Sequence, residues 1–177
     1  DFEGRLKKVL KETTANKNII LFIDEIHNII GAGATSGGSM DAGNLLKPAL
    51  SRSEITCIGA TTFTEYRQYF EKDRALNRRF QKIDIAEPSR DDCLQILVGL
   101  KAKYEKFHGV NYTDSAIQAC IDMSLKYNPQ GKLPDKAIDL MDEVGSYKKL
   151  QVQPEGAVRT VEVDDVSFII SKQSGIP

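Results

Sequence analysis

The most constraining feature of this chain is a run of five apolar residues, Ile19-Ile20-Leu21-Phe22-Ile23, followed directly by Asp24 and Glu25. The run is short, rich in β-branched residues and without polar interruptions. This pattern predicts a strand that is buried on both faces, as in a parallel sheet. Ligands of open α/β sheets bind outside the carboxyl ends of the strands. The run therefore places two carboxylates where a binding crevice is expected.

The first half of the chain alternates helix and strand patterns. Apolar spacing predicts helices over residues 3–13 and 41–51, and Pro48 inside the second should end or kink it. Residues 55–60, ITCIGA, predict a second buried strand. Residues 82–88, KIDIAEP, alternate apolar and polar residues and predict a third. Polar helices are expected between these two strands, over residues 64–70 and 73–79. This alternation implies a parallel sheet with helices on its faces.

The second half is predicted to be almost entirely helical. Ser89 should cap a helix that runs to about residue 107, a second should open at Thr113 or Asp114, and a third at residues 133–135. A brief strand at RTVEVDD and a last helix over residues 163–171 follow. The boundary near Glu87-Pro88 predicts two domains. Residues 1–87 form a partial α/β subdomain, and residues 88–177 form a helical one.

The composition excludes several classes of protein. The 24 basic and 25 acidic residues nearly cancel, which argues against a surface dedicated to nucleic acid. No apolar run approaches the length of a membrane span, and no signal-peptide pattern opens the sequence. Three widely spaced cysteines and two histidines argue against a disulfide framework or a structural zinc site. A reducing compartment fits this composition best.

An apolar strand that ends in Asp24 has the form of a Walker B element, in which the aspartate holds Mg²⁺. The adjacent Glu25 is placed to orient or deprotonate a water that attacks a γ-phosphate. The alternative interpretation is that an acid simply ends a strand and caps a helix. Taken alone, the short motif does not decide between them, because it has many chance matches.

Two further patterns support the nucleotide interpretation. The second predicted strand ends in Gly59-Ala60-Thr61-Thr62, so a threonine hydroxyl would lie beside the acid pair and could bond a water or a phosphate. Arg78 and Arg79 precede Phe80 at a predicted helix end and could offer guanidinium groups to phosphate oxygens. The competing explanations are a strand that finishes in β-branched residues and a solvated basic turn.

A phosphate-cradling loop, G-x-x-x-x-G-K-[ST], occurs nowhere in the sequence. The glycine-rich run at residues 31–38 follows the acids and lacks the lysine, so it predicts a mobile loop instead. The chain also begins without methionine, inside a helical pattern. We therefore expect a fragment of a longer protein whose phosphate loop lies upstream of Asp1.

Longer strings carry a family resemblance. ILFIDEIHNIIGAG, MDAGNLLKPAL, CIGATTFTEYRQYFEKDRALNRRFQKI and LPDKAIDLMDE resemble the first AAA+ module of the Clp ATPases, which include ClpA, ClpC and ClpB. The similarity covers nearly the whole chain. It implies a truncated AAA+ large subdomain with a parallel sheet, followed by a small helical lid subdomain.

The resemblance also implies roles for single residues. Asp24 matches the Mg²⁺-binding acid, Glu25 the catalytic glutamate and Thr62 the sensor of the γ-phosphate. Arg78 and Arg79 match arginine fingers, which reach the nucleotide of the adjacent subunit in a homo-hexamer. Residues Gly31 to Gly38 match a loop that faces the central pore. The residues expected near the nucleotide base, between sheet and lid, are Leu133, Pro134, Asp135 and Ile138.

The implied activity is ATP hydrolysis, with ATP and Mg²⁺, that unfolds and threads unfolded or tagged proteins. Residues 128–132 lack the Asp-Arg that the family usually carries before Leu-Pro-Asp-Lys, so the contact made by that arginine is not expected here. No long coiled-coil insertion follows Glu143, which favours a partner of a ClpP-type compartmental protease. A ClpB-like disaggregase and a degenerate assembly scaffold are the alternatives. The cytoplasm and the stroma or matrix of a bacterially derived organelle are equally expected locations.

Overall fold

A computed structural model of the chain describes residues 2–31, 40–52, 54–152 and 156–175. The chain divides into two compact units, residues 1–84 and residues 85–177. Each unit has its own group of buried apolar side chains. The two units are therefore described separately.

The first unit contains a small parallel sheet with helices before, between and after its two strands. β1 and β2 pair in register from Ile20 opposite Thr56 to Ile23 opposite Gly59. A parallel pair needs a crossover connection, and two helices provide it. The elements in chain order are α1 Phe2–Ala15, β1 Ile20–Ile23, α2 His27–Gly31, α3 Met40–Ser51, β2 Thr56–Gly59, α4 Phe63–Glu65, a π-helical turn Tyr66–Phe70 and α5 Arg74–Asn77.

The two faces of this sheet have different surroundings. Leu21, Ile23 and Cys57 point to one face and pack against the core of the first unit. Phe22 and Ile58 are neighbours on the opposite face and are 62% and 54% exposed. The prediction of strands buried on both faces is therefore wrong for the described residues, because only one face of the sheet has a packing partner among them.

The core of the first unit lies between the sheet and its helices. Its buried members are Leu10, Ile26, Ile30, Leu46, Ala49, Leu50, Ile55, Phe70 and Leu76. The prediction that Pro48 ends or kinks its helix is wrong about the end, because α3 continues to Ser51 and the Arg52 N–H bonds the Pro48 carbonyl at 3.0 Å. Pro48 lies in the last turn, where its missing N–H removes only one intrahelical bond.

The second unit is helical, with one minimal strand pair. The predicted start of its first two helices is confirmed, because the Ser89 hydroxyl accepts from the Asp92 N–H and the Thr113 hydroxyl from the Ala116 N–H. The elements are α6 Arg90–His108, β3 Asn111–Tyr112, α7 Asp114–Tyr127, α8 Asp135–Leu150, β4 Thr160–Val161 and α9 Val163–Ser174. β3 pairs with β4 in parallel.

Residues 82–88 do not form the predicted third strand. Ile83 and Ile85 are 79% and 84% exposed, and the segment carries no regular structure. An alternating pattern becomes a strand only when a neighbouring strand accepts its hydrogen bonds. The predicted fold class is nevertheless confirmed: a parallel α/β portion is followed by a helical, lid-like portion. Among the described residues, no helix is long and apolar enough to cross a bilayer.

Candidate functional site

The two acids follow β1 directly and face solvent. A carboxylate oxygen of Asp24 accepts a hydrogen bond from the Glu25 N–H at 3.0 Å. Glu25 has φ of +48°, the left-handed region, which only a few per cent of residues other than glycine adopt. Such a conformation costs about 1–3 kcal/mol and persists where the surroundings enforce it. The backbone therefore turns sharply at the residue expected to act on water.

The chain after β2 runs alongside this turn. The Ala60 N–H donates to the Ile23 carbonyl at 2.9 Å, and the Ile26 N–H donates to the Ala60 carbonyl at 3.0 Å. Ile26 is fully buried, and a side chain at Gly59 would lie 2.8 Å from its Cδ1 atom. The acid pair therefore lies between two residues, Ile23 and Ile26, whose backbones are both hydrogen-bonded to Ala60. The predicted meeting of the two strand ends is therefore present in the structure.

His27 connects the two strand ends through its side chain. Its Nδ1 atom lies 2.9 Å from the Thr61 hydroxyl, and its Nε2 atom lies 3.4 Å from a Glu25 carboxylate oxygen. The ring stacks on Tyr69 with 6.3 Å between ring centroids and 11° between planes. The sequence alone allows His27 either to touch the site or to be a hydrogen-bonded structural residue, and it favours the structural role. Its position two residues after Glu25 was the available signal.

Thr62, the predicted sensor, lies one residue further on and is exposed. Its hydroxyl accepts from the Glu65 N–H at 3.4 Å and so caps α4. Thr61, which sequence reasoning did not select, is the threonine that contacts the acid pair through His27. The assignment of Thr62 as the sensor stays a prediction.

The arginine pair lies at the end of α5, and both side chains are exposed. Leu76 is fully buried, and Phe80 packs edge-on against Phe70 at 5.6 Å, so the segment that carries the arginines is anchored on both sides. This arrangement presents guanidinium groups at the surface on a fixed support. Their action on a neighbouring subunit stays a prediction.

Asp73 fixes the start of α5. Its carboxylate accepts from the Ala75 and Leu76 N–H groups and pairs with Lys47 at 3.1 Å. Burial raises the pKa of Asp73, but the Leu76 N–H, Lys47 and the Ala75 N–H together lower it below its ordinary value. A charged N-cap of this kind stabilises the short helix in front of the arginines.

The residues expected to contact the base lie at the start of α8 in the second unit. Leu133 is buried in the core of that unit, and its N–H donates to a Glu87 carboxylate oxygen at 2.6 Å. This hydrogen bond is the largest influence on Glu87 and lowers its pKa. Pro134 is the N-cap of α8, Asp135 is exposed in its first turn, and Ile138 is half-buried against the core. Their role in binding stays a prediction.

The oxygen donors at the strand ends suit Mg²⁺. Magnesium is bound in such sites by one or two carboxylates together with phosphate oxygens and water, not by an all-protein cage. The described part of the chain holds no group of three histidine, cysteine or acidic side chains that could bind a metal ion by itself. Asp24 keeps free acceptor sites beyond its bond to Glu25, so the residues fit the ion. The predicted pore-facing loop, residues 31–38, lies outside the described residues from residue 32 onwards.

Comparison with known proteins identifies both units. Residues 1–87 match the AAA family, described as "ATPase family associated with various cellular activities". Residues 89–172 match the AAA lid domain. A ClpA homolog protein from Fuscovulum blasticum is 50% identical over 177 residues, which is all of this chain and 22% of that protein. The chaperone protein ClpB of Prochlorococcus marinus is 58% identical over 153 residues, 86% of this chain and 18% of that protein.

Solved structures give the same result. A closed-state reconstruction of Hsp104 with ATPγS and FITC casein superposes with a TM-score of 0.86 at 45% identity, over 100% of this chain and 30% of that one. The extended conformation of the S. cerevisiae Hsp104–casein complex gives 0.81 at 43% identity. The chain spans about a fifth of the length of the two curated relatives. It therefore belongs to the AAA family of ATPases, in its Clp branch, and corresponds to the first nucleotide-binding region of ClpA and ClpB with its lid domain.

Proposed function

We propose that this chain is the hydrolytic part of an ATP-driven protein unfoldase. The observation that carries the proposal is the meeting of two parallel strand ends, where Asp24 and Glu25 face solvent and His27 links Glu25 to Thr61. Carboxylates and hydroxyls at this edge of a parallel sheet are the groups that phosphoryl transfer to water requires. The relatives named ClpA and ClpB support the same activity.

Each residue has a distinct role in this proposal. Asp24 provides oxygen to Mg²⁺, which when bound neutralises charge on the phosphates of ATP. Glu25 orients the attacking water and accepts its proton at the carboxylate. Thr62 hydrogen-bonds the water or the γ-phosphate. These groups do little covalent chemistry, because catalysis of phosphoryl transfer is mostly positioning and charge stabilisation.

Arg78 and Arg79 act in trans in a homo-hexamer, each pair completing the site of the adjacent subunit. An arginine finger is worth about 10³–10⁵ in rate, so a lone subunit would be nearly inert. Their exposure on an anchored helix end supports this role. In the lid, residues at the start of α8 contact the nucleotide base, namely Leu133, Pro134, Asp135 and Ile138.

The 177-residue chain by itself is proposed to lack ATPase activity. Its sequence contains no G-x-x-x-x-G-K-[ST] loop, and backbone N–H groups of such a loop normally cradle the phosphates. Hydrolysis therefore requires the longer protein. That protein would thread unfolded or tagged proteins in the cytoplasm, or in the stroma or matrix of a bacterially derived organelle.

The threaded protein could be delivered to a protease or released to refold. Delivery to a ClpP-type compartmental protease is supported by the short connection between α8 and α9, which leaves no room for a coiled-coil insertion after Glu143. Release as a refolding chain, as in a disaggregase, is supported by the relatives named ClpB. We favour the protease partner, because its support comes from this chain itself.

The proposal is tested by Glu25→Gln in the full-length protein. The substitution keeps the size of the side chain but removes the base, so we expect at least a hundredfold loss of the hydrolysis contributed by this site, with ATP still bound. Glu71→Gln is the matched control, because Glu71 is an exposed acid of the same unit. Rates of ATP hydrolysis and of unfolding of a tagged substrate are measured. An assembly scaffold would leave both rates of Glu25→Gln at the wild-type level, and that result would overturn the proposal.

A further inference from the structure

The backbone on both sides of Glu25 is fixed, but the Glu25 side chain is not. The side chain is 55% exposed, and the backbone at this residue has a left-handed conformation. The His27 Nε2 atom lies 3.4 Å from one of its carboxylate oxygens. A glutamate side chain has several rotamers of similar energy. Something must therefore hold the carboxylate in one place if it is to orient a water.

His27 is itself held from three directions. It begins α2 directly after Ile26, whose backbone is bonded to Ala60 and whose side chain is fully buried. Its ring stacks on Tyr69, and its Nδ1 atom contacts the Thr61 hydroxyl at 2.9 Å. Only 12% of its side chain is exposed. The ring therefore has a fixed orientation that aims Nε2 at the carboxylate.

Which ring nitrogen donates depends on the tautomer of His27. A neutral ring with hydrogen on Nε2 donates towards the Glu25 carboxylate and accepts the Thr61 hydroxyl hydrogen at Nδ1. The 3.4 Å separation at Glu25 is long for a hydrogen bond, whereas 2.9 Å at Thr61 is ordinary. The ring therefore contacts Thr61 closely and Glu25 more weakly.

We infer that His27 is a positioning residue that orients the Glu25 carboxylate through a chain of contacts from Thr61. This inference rests on the proposed ATPase function of Glu25. In this inference, Thr61 after β2 sets the orientation of the Glu25 side chain after β1. A displacement of Thr61 would change the His27 ring and, through it, the position of the carboxylate. Misplacement of a catalytic group by about 1 Å can cost up to a hundredfold in rate.

The first test uses ring nitrogen shifts of histidine in the 177-residue chain by ¹⁵N NMR. The sequence has only two histidines, and His108 lies in the second unit, where it serves as an internal reference. In the wild type we expect His27 to show a single neutral tautomer with hydrogen on Nε2. Thr61→Val should shift the His27 nitrogens towards a mixture of tautomers and leave those of His108 unchanged. Unchanged His27 nitrogens in Thr61→Val would overturn the inference.

The second test is kinetic and uses the full-length protein. His27→Phe keeps a ring for stacking on Tyr69 but removes both nitrogens. Part of the ATPase rate depends on Glu25 and is lost in Glu25→Gln. We expect His27→Phe to lower this part by about tenfold or more, with little change in KM for ATP. His27→Gln restores a donor and an acceptor and should recover part of that rate. Tyr69→Phe keeps the stacked ring and is the matched control, with a rate within about twofold of wild type.

The outcomes separate this inference from the proposed function. If Glu25→Gln abolishes hydrolysis while His27→Phe retains the wild-type rate, the ATPase assignment stands and the positioning role is wrong. If Glu25→Gln retains the wild-type rate, the site itself is wrongly assigned. If His27 only packed on Tyr69, His27→Phe would hydrolyse ATP at the wild-type rate, because phenylalanine keeps the stacked ring. Rescue by His27→Gln but not by His27→Phe supports positioning through hydrogen bonds.

Discussion

Gly145 lies inside α8, and its missing side chain makes room for groups from other elements. A Cβ atom at this position would lie 1.9 Å from the Tyr112 hydroxyl and 2.7 Å from a His108 ring carbon. The Tyr112 hydroxyl is itself fixed, because it donates to the Met141 carbonyl at 2.8 Å. We expect Gly145→Ala to destabilise the second unit by about 1–3 kcal/mol, the usual cost of overpacking. Thermal and urea unfolding of the 177-residue chain measure this.

Gly99 provides the matched control for that substitution. It lies within α6, and a Cβ atom there would meet nothing within 4 Å. Gly99→Ala should therefore stabilise the same unit by about 0.5–1 kcal/mol, because alanine loses less backbone entropy in a helix. Equal effects of the two substitutions would show that the contacts around Gly145 do not limit the unit's stability.

Single residues also show where sequence reasoning reached its limit. Asp24 and Glu25 could be placed at a strand end because the apolar run before them is short and rich in β-branched residues, which favours a strand over a helix. Strand alternation does not distinguish Thr61 from Thr62, because regular pairing of the two strands ends before these residues, so the choice of Thr62 rested on the family resemblance. The contacts of His27 depend on the five-residue helix α2, which is too short to produce a periodic pattern.

The helices α6 and α7 are joined by a two-pronged ion pair. Arg90 donates from Nε to one Asp122 carboxylate oxygen at 2.6 Å and from Nη2 to the other at 2.8 Å. The hydrogen bond from Arg90 is the main influence on Asp122 and lowers its pKa. A carboxylate whose pKa is lowered by folding stabilises the fold above its unfolded pKa of about 3.9, and this contribution is lost as pH falls through the folded pKa.

Asp122→Asn should therefore lower the Tm of the second unit at pH 7 and have progressively less effect on acidification. We expect a decrease of roughly 1–3 °C, because both side chains are about half exposed and solvent screens the pair. The decrease should also shrink in high salt. Asp139→Asn, at an exposed site on α8, is the control. A difference between Asp122→Asn and wild type that stays constant from pH 7 to pH 2 would contradict this explanation.

Elements with local signals were the ones that sequence reasoning predicted well. Ser89 and Thr113 cap their helices as expected, because an N-cap is decided by a side chain and its own backbone. The strand predicted at residues 82–88 is absent, because a strand depends on a partner elsewhere in the chain. β3 was not predicted at all, since two residues opposite β4 leave no pattern in the sequence.

At the scale of the whole chain, the change from alternating elements to helices correctly indicated the fold class. Each unit has its own hydrophobic core. The core of the second unit is the larger, and helices α6 to α9 all contribute side chains to it. The first unit leaves one face of its sheet open among the described residues. Sequence reasoning could not anticipate this, because an apolar strand has the same pattern whether its second face is covered or not.

That open face leads to a prediction about self-association of the 177-residue chain. Ile20, Phe22 and Ile58 lie together on it, and each is more than half exposed. Contiguous exposed apolar groups of this kind promote association. Phe22→Thr combined with Ile58→Thr places a β-branched strand former at both positions but removes most of the apolar area.

We expect the double variant to lower the apparent mass at high protein concentration in sedimentation velocity and to bind less of a hydrophobic dye, since both depend on this apolar area. Val98→Gln, at an exposed apolar site on α6 in the other unit, is the control and should leave both unchanged. If the control reduced association as much as the double variant, general surface polarity would be the cause. If neither the double variant nor the control changed the apparent mass, the open sheet face would not be a site of association.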